Sequence, residues 1–98
     1  MIEGSYSLNL NTPMGNIPCM VNLWFEGKIL NGKIEIMGSK NFLKGGKAED
    51  NKCFFEGEIN TPLGNISYKI LGIIEGDKIN IFAETNKGNF NLNGNRIK

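Results

Sequence analysis

The stretch Asn11-Thr12-Pro13-Met14-Gly15-Asn16-Ile17 decides the fold, because it recurs 49 residues later as Asn60-Thr61-Pro62-Leu63-Gly64-Asn65-Ile66. This offset is half of the 98-residue chain. An offset of 48 carries Asn41-Phe42 onto Asn89-Phe90, which places one gap near residues 36–41. The repeat predicts a single domain, 1–98, built from two similar halves at about 4–50 and 53–98.

Turn residues divide each half into strands. In Thr-Pro-x-Gly, proline presets φ at the second turn position, and glycine accepts the positive φ with which the chain re-enters the ladder. Asn86-Lys87-Gly88 works similarly. The repeat places the next turns at Glu26-Gly27-Lys28 and at Glu75-Gly76-Asp77.

Apolar residues alternate with polar ones, as at Ile17, Cys19, Val21, Leu23 and Phe25, and a period of two indicates strands. No segment has the pattern of a helix. We expect eight antiparallel strands near residues 3–10, 17–25, 29–37, 41–47, 52–59, 66–74, 78–85 and 89–97. Short connections favour an all-β, eight-stranded, up-and-down β-barrel, and the alternative is a two-sheet β-sandwich.

The turns set the pairing, so that paired residue numbers sum to about 125 between the fifth and sixth strands and to about 153 between the sixth and seventh. We then expect these side chains inside: Tyr6, Leu8, Leu10, Ile17, Val21, Leu23, Phe25, Leu30, Ile34, Phe55, Ile59, Ile66, Tyr68, Ile70, Ile74, Ile79, Ile81, Phe90 and Leu92. Gly32, Gly57, Gly72 and Cys19 are small inward residues. They either permit strand coiling or leave space for a ligand.

Gly4-Ser5-Tyr6 in the first strand and Arg96, the single arginine, in the last resemble a calycin signature. In lipocalins and fatty-acid-binding proteins, a Gly-x-Trp packs near a basic residue late in the barrel. Here tyrosine replaces the tryptophan. No segment of this chain corresponds to the helices of those families, and in lacking helices the chain is more similar to the avidin-type barrel. The Thr-Pro-x-Gly hairpins and the final Gly94-Asn95-Arg96 also resemble small bacterial barrel domains of unassigned function. The resemblance implies a fold rather than an activity.

The composition argues against an enzyme or a metal site. The chain has no histidine, the usual general base and metal ligand at neutral pH. Cys19 and Cys53 fit no metal or redox spacing, so we expect two unpaired thiols. Glu56 and Glu58 share one strand face, as paired acids would, but so do ordinary solvated glutamates. We expect no catalytic residue and no cofactor.

The net charge of +1 gives no electrostatic attraction to polyanions, and acidic residues interleave with the lysines, so we expect no nucleic acid partner. The N-terminal residues lack an export signal and no apolar run reaches 18 residues, so we expect a cytoplasmic protein without membrane contact. Asparagine, isoleucine and lysine, all with AT-rich codons, supply 38 residues and indicate a bacterial source.

Two functional hypotheses remain. The first is a small hydrophobic ligand inside the barrel, lined by Tyr6, Cys19, Tyr68 and Ile81. The second is an accessory module that forms a homodimer or meets a protein partner. A continuous internal cavity would favour the first, and a filled barrel with an apolar outer patch would favour the second.

The second hypothesis has candidate residues on the outer surface. The predicted pairing puts Phe54, Leu71 and Phe82 in one outward row, flanked by Ile73. The matching row in the first half is Ser5, Asn22 and Lys33. We expect the apolar row to be an interface, with Trp24 as a second contact.

Overall fold

The computed structural model describes residues 2–61 and 64–97 and forms a closed barrel in which eight antiparallel strands pair in chain order. The strands are β1 (Gly4–Thr12), β2 (Gly15–Glu26), β3 (Ile29–Ile36), β4 (Ser39–Glu49), β5 (Lys52–Thr61), β6 (Gly64–Glu75), β7 (Lys78–Thr85) and β8 (Gly88–Arg96). The predicted up-and-down barrel is therefore confirmed, and the sandwich is excluded. Among the described residues, no helix is long and apolar enough to cross a membrane.

The hairpins start as their turn residues predict. Gly15 and Gly88 have φ of +116° and +121° at the point where the chain enters the next strand. The Thr12 hydroxyl donates to the Gly15 carbonyl over 2.5 Å, and Thr85 donates to Gly88 over 2.6 Å. Each threonine thus closes its own turn, which fixes the register of the strands that follow.

The two halves use the same register. Tyr6 pairs with Val21 between β1 and β2, and the residues 49 positions later, Phe55 and Ile70, pair between β5 and β6. The β2–β3 and β6–β7 pairings match in the same way. The predicted register is confirmed at these four strand pairs.

The core consists of the inward side chains, and most of the predicted ones are buried or pack against the core. Phe90 was expected inside and is 38% exposed. It pairs with Ala83 close to the Asn86–Lys87 turn, where the barrel interior opens to solvent. That prediction is wrong because it considered the face of the strand and not the distance from the barrel end.

β4 carries a bulge that the sequence prediction missed. Gly32 pairs with Leu43, but Leu30 pairs with Gly46. Between these two pairs β4 therefore contains one residue more than β3. Gly45 takes up this residue with φ of +69°. The change of offset from 49 to 48 therefore lies at the bulge and not near residues 36–41.

Glycine also permits the closure of the barrel. β1 and β8 pair over five positions, from Tyr6 with Arg96 to Leu10 with Leu92. A Cβ on Gly94 would overlap the backbone of Ser7 and Leu8. Neither neighbour is a flexible side-chain end, so this approach of β8 to β1 requires glycine.

Candidate functional site

The interior residues proposed to line a ligand site are all buried: Tyr6, Cys19, Tyr68 and Ile81. The Tyr6 hydroxyl donates to the Ile2 carbonyl over 2.5 Å. Burial raises the pKa of Tyr6, and the nearby Arg96 partly offsets that rise. Burial also raises the pKa of Tyr68. The Tyr6 hydroxyl therefore already donates a hydrogen bond within the chain.

Side chains fill the space beside the inward glycines. A Cβ on Gly57 would meet the Tyr68 hydroxyl, and one on Gly72 would meet the Cys53 thiol. Beside Gly32 the space belongs to Leu23 and Phe55, and the Phe55 ring also covers Gly46. Large neighbouring side chains thus take the space beside these glycines, which counts against the prediction that this space holds a ligand.

Arg96, the last residue of β8, lies beside the start of β1. Its guanidinium carbon is 4.9 Å from the centroid of the Tyr6 ring, and its Nη1 donates to the Glu3 carbonyl over 2.5 Å. Stacking of a guanidinium on an aromatic face is a favourable cation–π contact. The pair ties the end of β8 to the start of β1.

Cys19 and Cys53 are buried free thiols, as predicted. Burial raises the pKa of Cys19, and it raises the pKa of Cys53 to about 11. A thiol that resists ionisation is a poor nucleophile. Among the described residues, no group of three or more cysteine and acidic side chains is placed to hold a metal ion.

The outer face of β5, β6 and β7 carries the apolar row. Phe54 pairs with Leu71, and Leu71 pairs with Phe82, so the three side chains are direct cross-strand neighbours. Phe54 is 39% exposed and Phe82 is 46% exposed. They line a groove of about 450 Å³ that Gly45 and Lys47 of β4 border on one side.

Two further rows flank the apolar row on the same face. On one side Lys69 pairs with Glu56 and with Glu84. Within the described residues the salt bridges are Lys33–Glu35 and Lys40–Glu35, both in the first half. Glu56, Lys69 and Glu84 are therefore neighbours across the strands but form no salt bridge with one another.

The row on the other side contains Lys52, Ile73 and Asn80. Ile73 pairs with both of the others. It is half-buried beside Leu71 and extends the apolar surface, as predicted. The apolar row therefore lies between an acidic edge and a lysine.

Trp24 does not belong to this surface. It lies on β2, pairs with Asn31, and its Nε1 donates to Glu26 over 3.3 Å. A separate hollow of about 270 Å³ contains it together with Phe42, which is 55% exposed. Trp24 therefore lies apart from the apolar row, and its role as a second contact stays a prediction. Phe42 was overlooked because the sequence alignment equated it with the inward Phe90.

Comparisons with known proteins define the fold and give no function. No protein-family model matches the chain, and no curated protein matches it. A solved structure described as a redesigned β-barrel is similar, with a TM-score of 0.71 and 14% identity over 99% of this chain and 92% of that one. At this identity the similarity concerns the fold alone. These comparisons do not identify the chain as a member of the calycin families.

Proposed function

We propose that this chain is a small non-enzymatic interaction module that self-associates through the outer face of β5, β6 and β7. The observation that supports this proposal is the contiguous outward row of Phe54, Leu71 and Phe82, in which both phenylalanines are exposed and Leu71 is half-buried. Scattered exposed apolar residues are normal on a protein surface, but a contiguous patch bordered by charges is typical of an interface.

The energetics favour covering this row. Burying an aromatic or leucine side chain contributes about 1.5–3 kcal/mol relative to leaving it exposed. Phe54 and Phe82 are each less than half exposed, so each would contribute part of that amount. Aromatic side chains at the centre of a patch, surrounded by polar groups, are the usual centre of binding energy in an interface.

Self-association has better support than the ligand-binding barrel. The ligand hypothesis needs space beside Gly32, Gly57 and Gly72, and that space holds side chains of the chain itself. The likeness to calycins, which rests on Tyr6 and Arg96, suggests a ligand only by analogy of fold. A solvatochromic dye titration of the native protein and of Tyr68→Trp would test the ligand hypothesis separately.

Sedimentation velocity tests the proposal. The wild type should form a dimer at micromolar concentration, and Leu71→Lys with Phe82→Glu should give a folded monomer, because two charges enter the apolar centre. Asn22→Lys, at the position equivalent to Leu71 in the first half, is the matched control and should leave the dimer intact. A wild type that stays monomeric at high concentration contradicts the proposal, and an unfolded double variant means that these side chains support the core.

A further inference from the structure

The outer face of β5–β7 is a grid of three rows that the register defines. The upper row is Lys52, Ile73 and Asn80, the middle row is Phe54, Leu71 and Phe82, and the lower row is Glu56, Lys69 and Glu84. Successive rows are two residues apart, which is about 6.8 Å along a strand. The upper row has a net charge of +1 and the lower row has a net charge of −1.

A second copy packed face to face on this grid has two symmetric orientations. Sheets that pack face to face keep their strand directions within about 30° of each other, and a dimer interface of identical patches has a twofold axis. That axis can lie along the middle row, so that strands of the two copies run antiparallel. It can instead lie along β6, so that they run parallel. Both orientations place Leu71 on Leu71 of the second copy.

The charges distinguish the two orientations. With the axis along β6, each row meets itself, so Glu56 faces Glu84 and Lys69 faces Lys69 of the second copy. With the axis along the middle row, the upper row meets the lower row, so Glu56 faces Lys52. Like charges opposed across an interface are unfavourable, and complementary charges fix the orientation of docking.

From this complementarity we infer that the second copy docks with the twofold axis along Phe54, Leu71 and Phe82, and that Glu56 of each copy meets Lys52 of the other. The inference rests on the proposed self-association. Glu49 pairs with Lys52 within the same copy but forms no ion pair with it among the described residues, so the Lys52 ammonium can reach across the interface.

Asn80 provides a test in which the two orientations predict opposite results. With the axis along the middle row, Asn80 faces Glu84 of the second copy. With the axis along β6, it faces Lys52. Asn80→Lys should therefore tighten the dimer in the inferred orientation and weaken it in the other, and Asn80→Glu should do the reverse.

The experiment measures the dimer dissociation constant by sedimentation equilibrium for the wild type and both variants. The inferred orientation predicts a threefold to tenfold tighter dimer for Asn80→Lys, that is, roughly 0.3–0.7 kcal/mol for each of the two new pairs. Asn80→Glu should weaken the dimer by a similar factor, and both effects should shrink at about 0.5 M salt. Asn31→Lys, at the equivalent position of the first half, is the matched control and should leave the constant unchanged.

The outcomes separate the orientation from the self-association. A tighter dimer for Asn80→Glu and a weaker one for Asn80→Lys would overturn the orientation and leave the proposed function standing. No effect of either variant, together with a monomeric Leu71→Lys with Phe82→Glu, would also overturn the orientation. A monomeric wild type would remove the proposed function and this inference with it.

Discussion

The two halves of the barrel differ most on their outer faces, where strand pairing does not constrain the side chains. At equivalent positions of one register, their outer rows are Ser5, Asn22 and Lys33 in the first half and Phe54, Leu71 and Phe82 in the second. In the first half the Ser5 hydroxyl donates to the Asn22 side-chain oxygen over 2.5 Å. A polar outer row is thus compatible with this fold, so closing the barrel does not require the apolar row.

The inner faces differ in another way, because they exchange volume within pairs. The equivalent inner pairs are Leu8–Cys19 and Gly57–Tyr68, and likewise Leu23–Gly32 and Gly72–Ile81. In the first half the larger side chain of each pair, Leu8 or Leu23, lies on the earlier strand. In the second half the larger side chain, Tyr68 or Ile81, lies on the later strand and glycine lies opposite it. A packed interior constrains the total volume more than the identity of each residue, whereas the outer face has no such constraint.

The largest predicted effect tests this exchange of volume. Tyr68→Cys alone should leave a cavity and cost about 3 kcal/mol. Gly57→Leu alone should collide with Tyr68 and cost about 1–3 kcal/mol. The double variant recreates the Leu8–Cys19 pair and should lie within about 1.5 kcal/mol of the wild type. Urea unfolding of all four proteins measures this cycle, and additive costs in the double variant would contradict the exchange.

A smaller effect concerns Cys53, whose equivalent in the first half is Gly4. Burial raises the pKa of this thiol to about 11 from a reference value of 9.0, so the folded state holds its proton more tightly than the unfolded state. The stability that depends on the protonated Cys53 thiol is fully present below pH 9. It is lost as the pH rises from 9 to 11, which lowers the free energy of unfolding by about 2–3 kcal/mol. Cys53→Ala should lose less stability over that pH range, and identical pH profiles would be evidence against this role of the thiol.

The smallest effect concerns the turn of the β3–β4 hairpin. Met37 and Gly38 both have positive φ, at 53° and 83°, whereas the equivalent turn in the second half places its positive φ on Gly88. A side chain such as methionine is unfavourable at positive φ, and Asn-Gly is the preferred pair in a turn with two such residues. Met37→Asn should stabilise the protein by about 1 kcal/mol, and Met14→Asn is the control. Thermal unfolding measures the midpoint temperature of both variants, and equal shifts of that temperature would contradict the explanation from positive φ at Met37.

The sequence determines the strands and most of the register because each rests on local chemistry. Alternation marks each strand, and Thr12 with Gly15 closes the first turn, whose residue pattern recurs in the sequence of the second half. Two such halves with short connections have few ways to pair, so the barrel follows.

The bulge in β4 could not be predicted in this way. It depends on positive φ at Gly45 and on the Phe55 ring lying over Gly46, which brings together residues of two strands. The repeat placed its gap before Phe42, whereas the bulge lies after it, so Phe42 was equated with the inward Phe90 and its outward position was missed. The position of Trp24 relative to the apolar row likewise depends on how the closed barrel separates β2 from β5–β7.

Sedimentation equilibrium of the variant Leu71→Asn with Phe82→Lys tests the central claim most directly, because it gives the second half two of the three outer residues of the first. If the apolar row serves self-association and not folding, the variant is a folded monomer with unchanged near-ultraviolet circular dichroism, while the wild type is a dimer. A variant that dimerises as strongly as the wild type, or one that unfolds, would contradict the account.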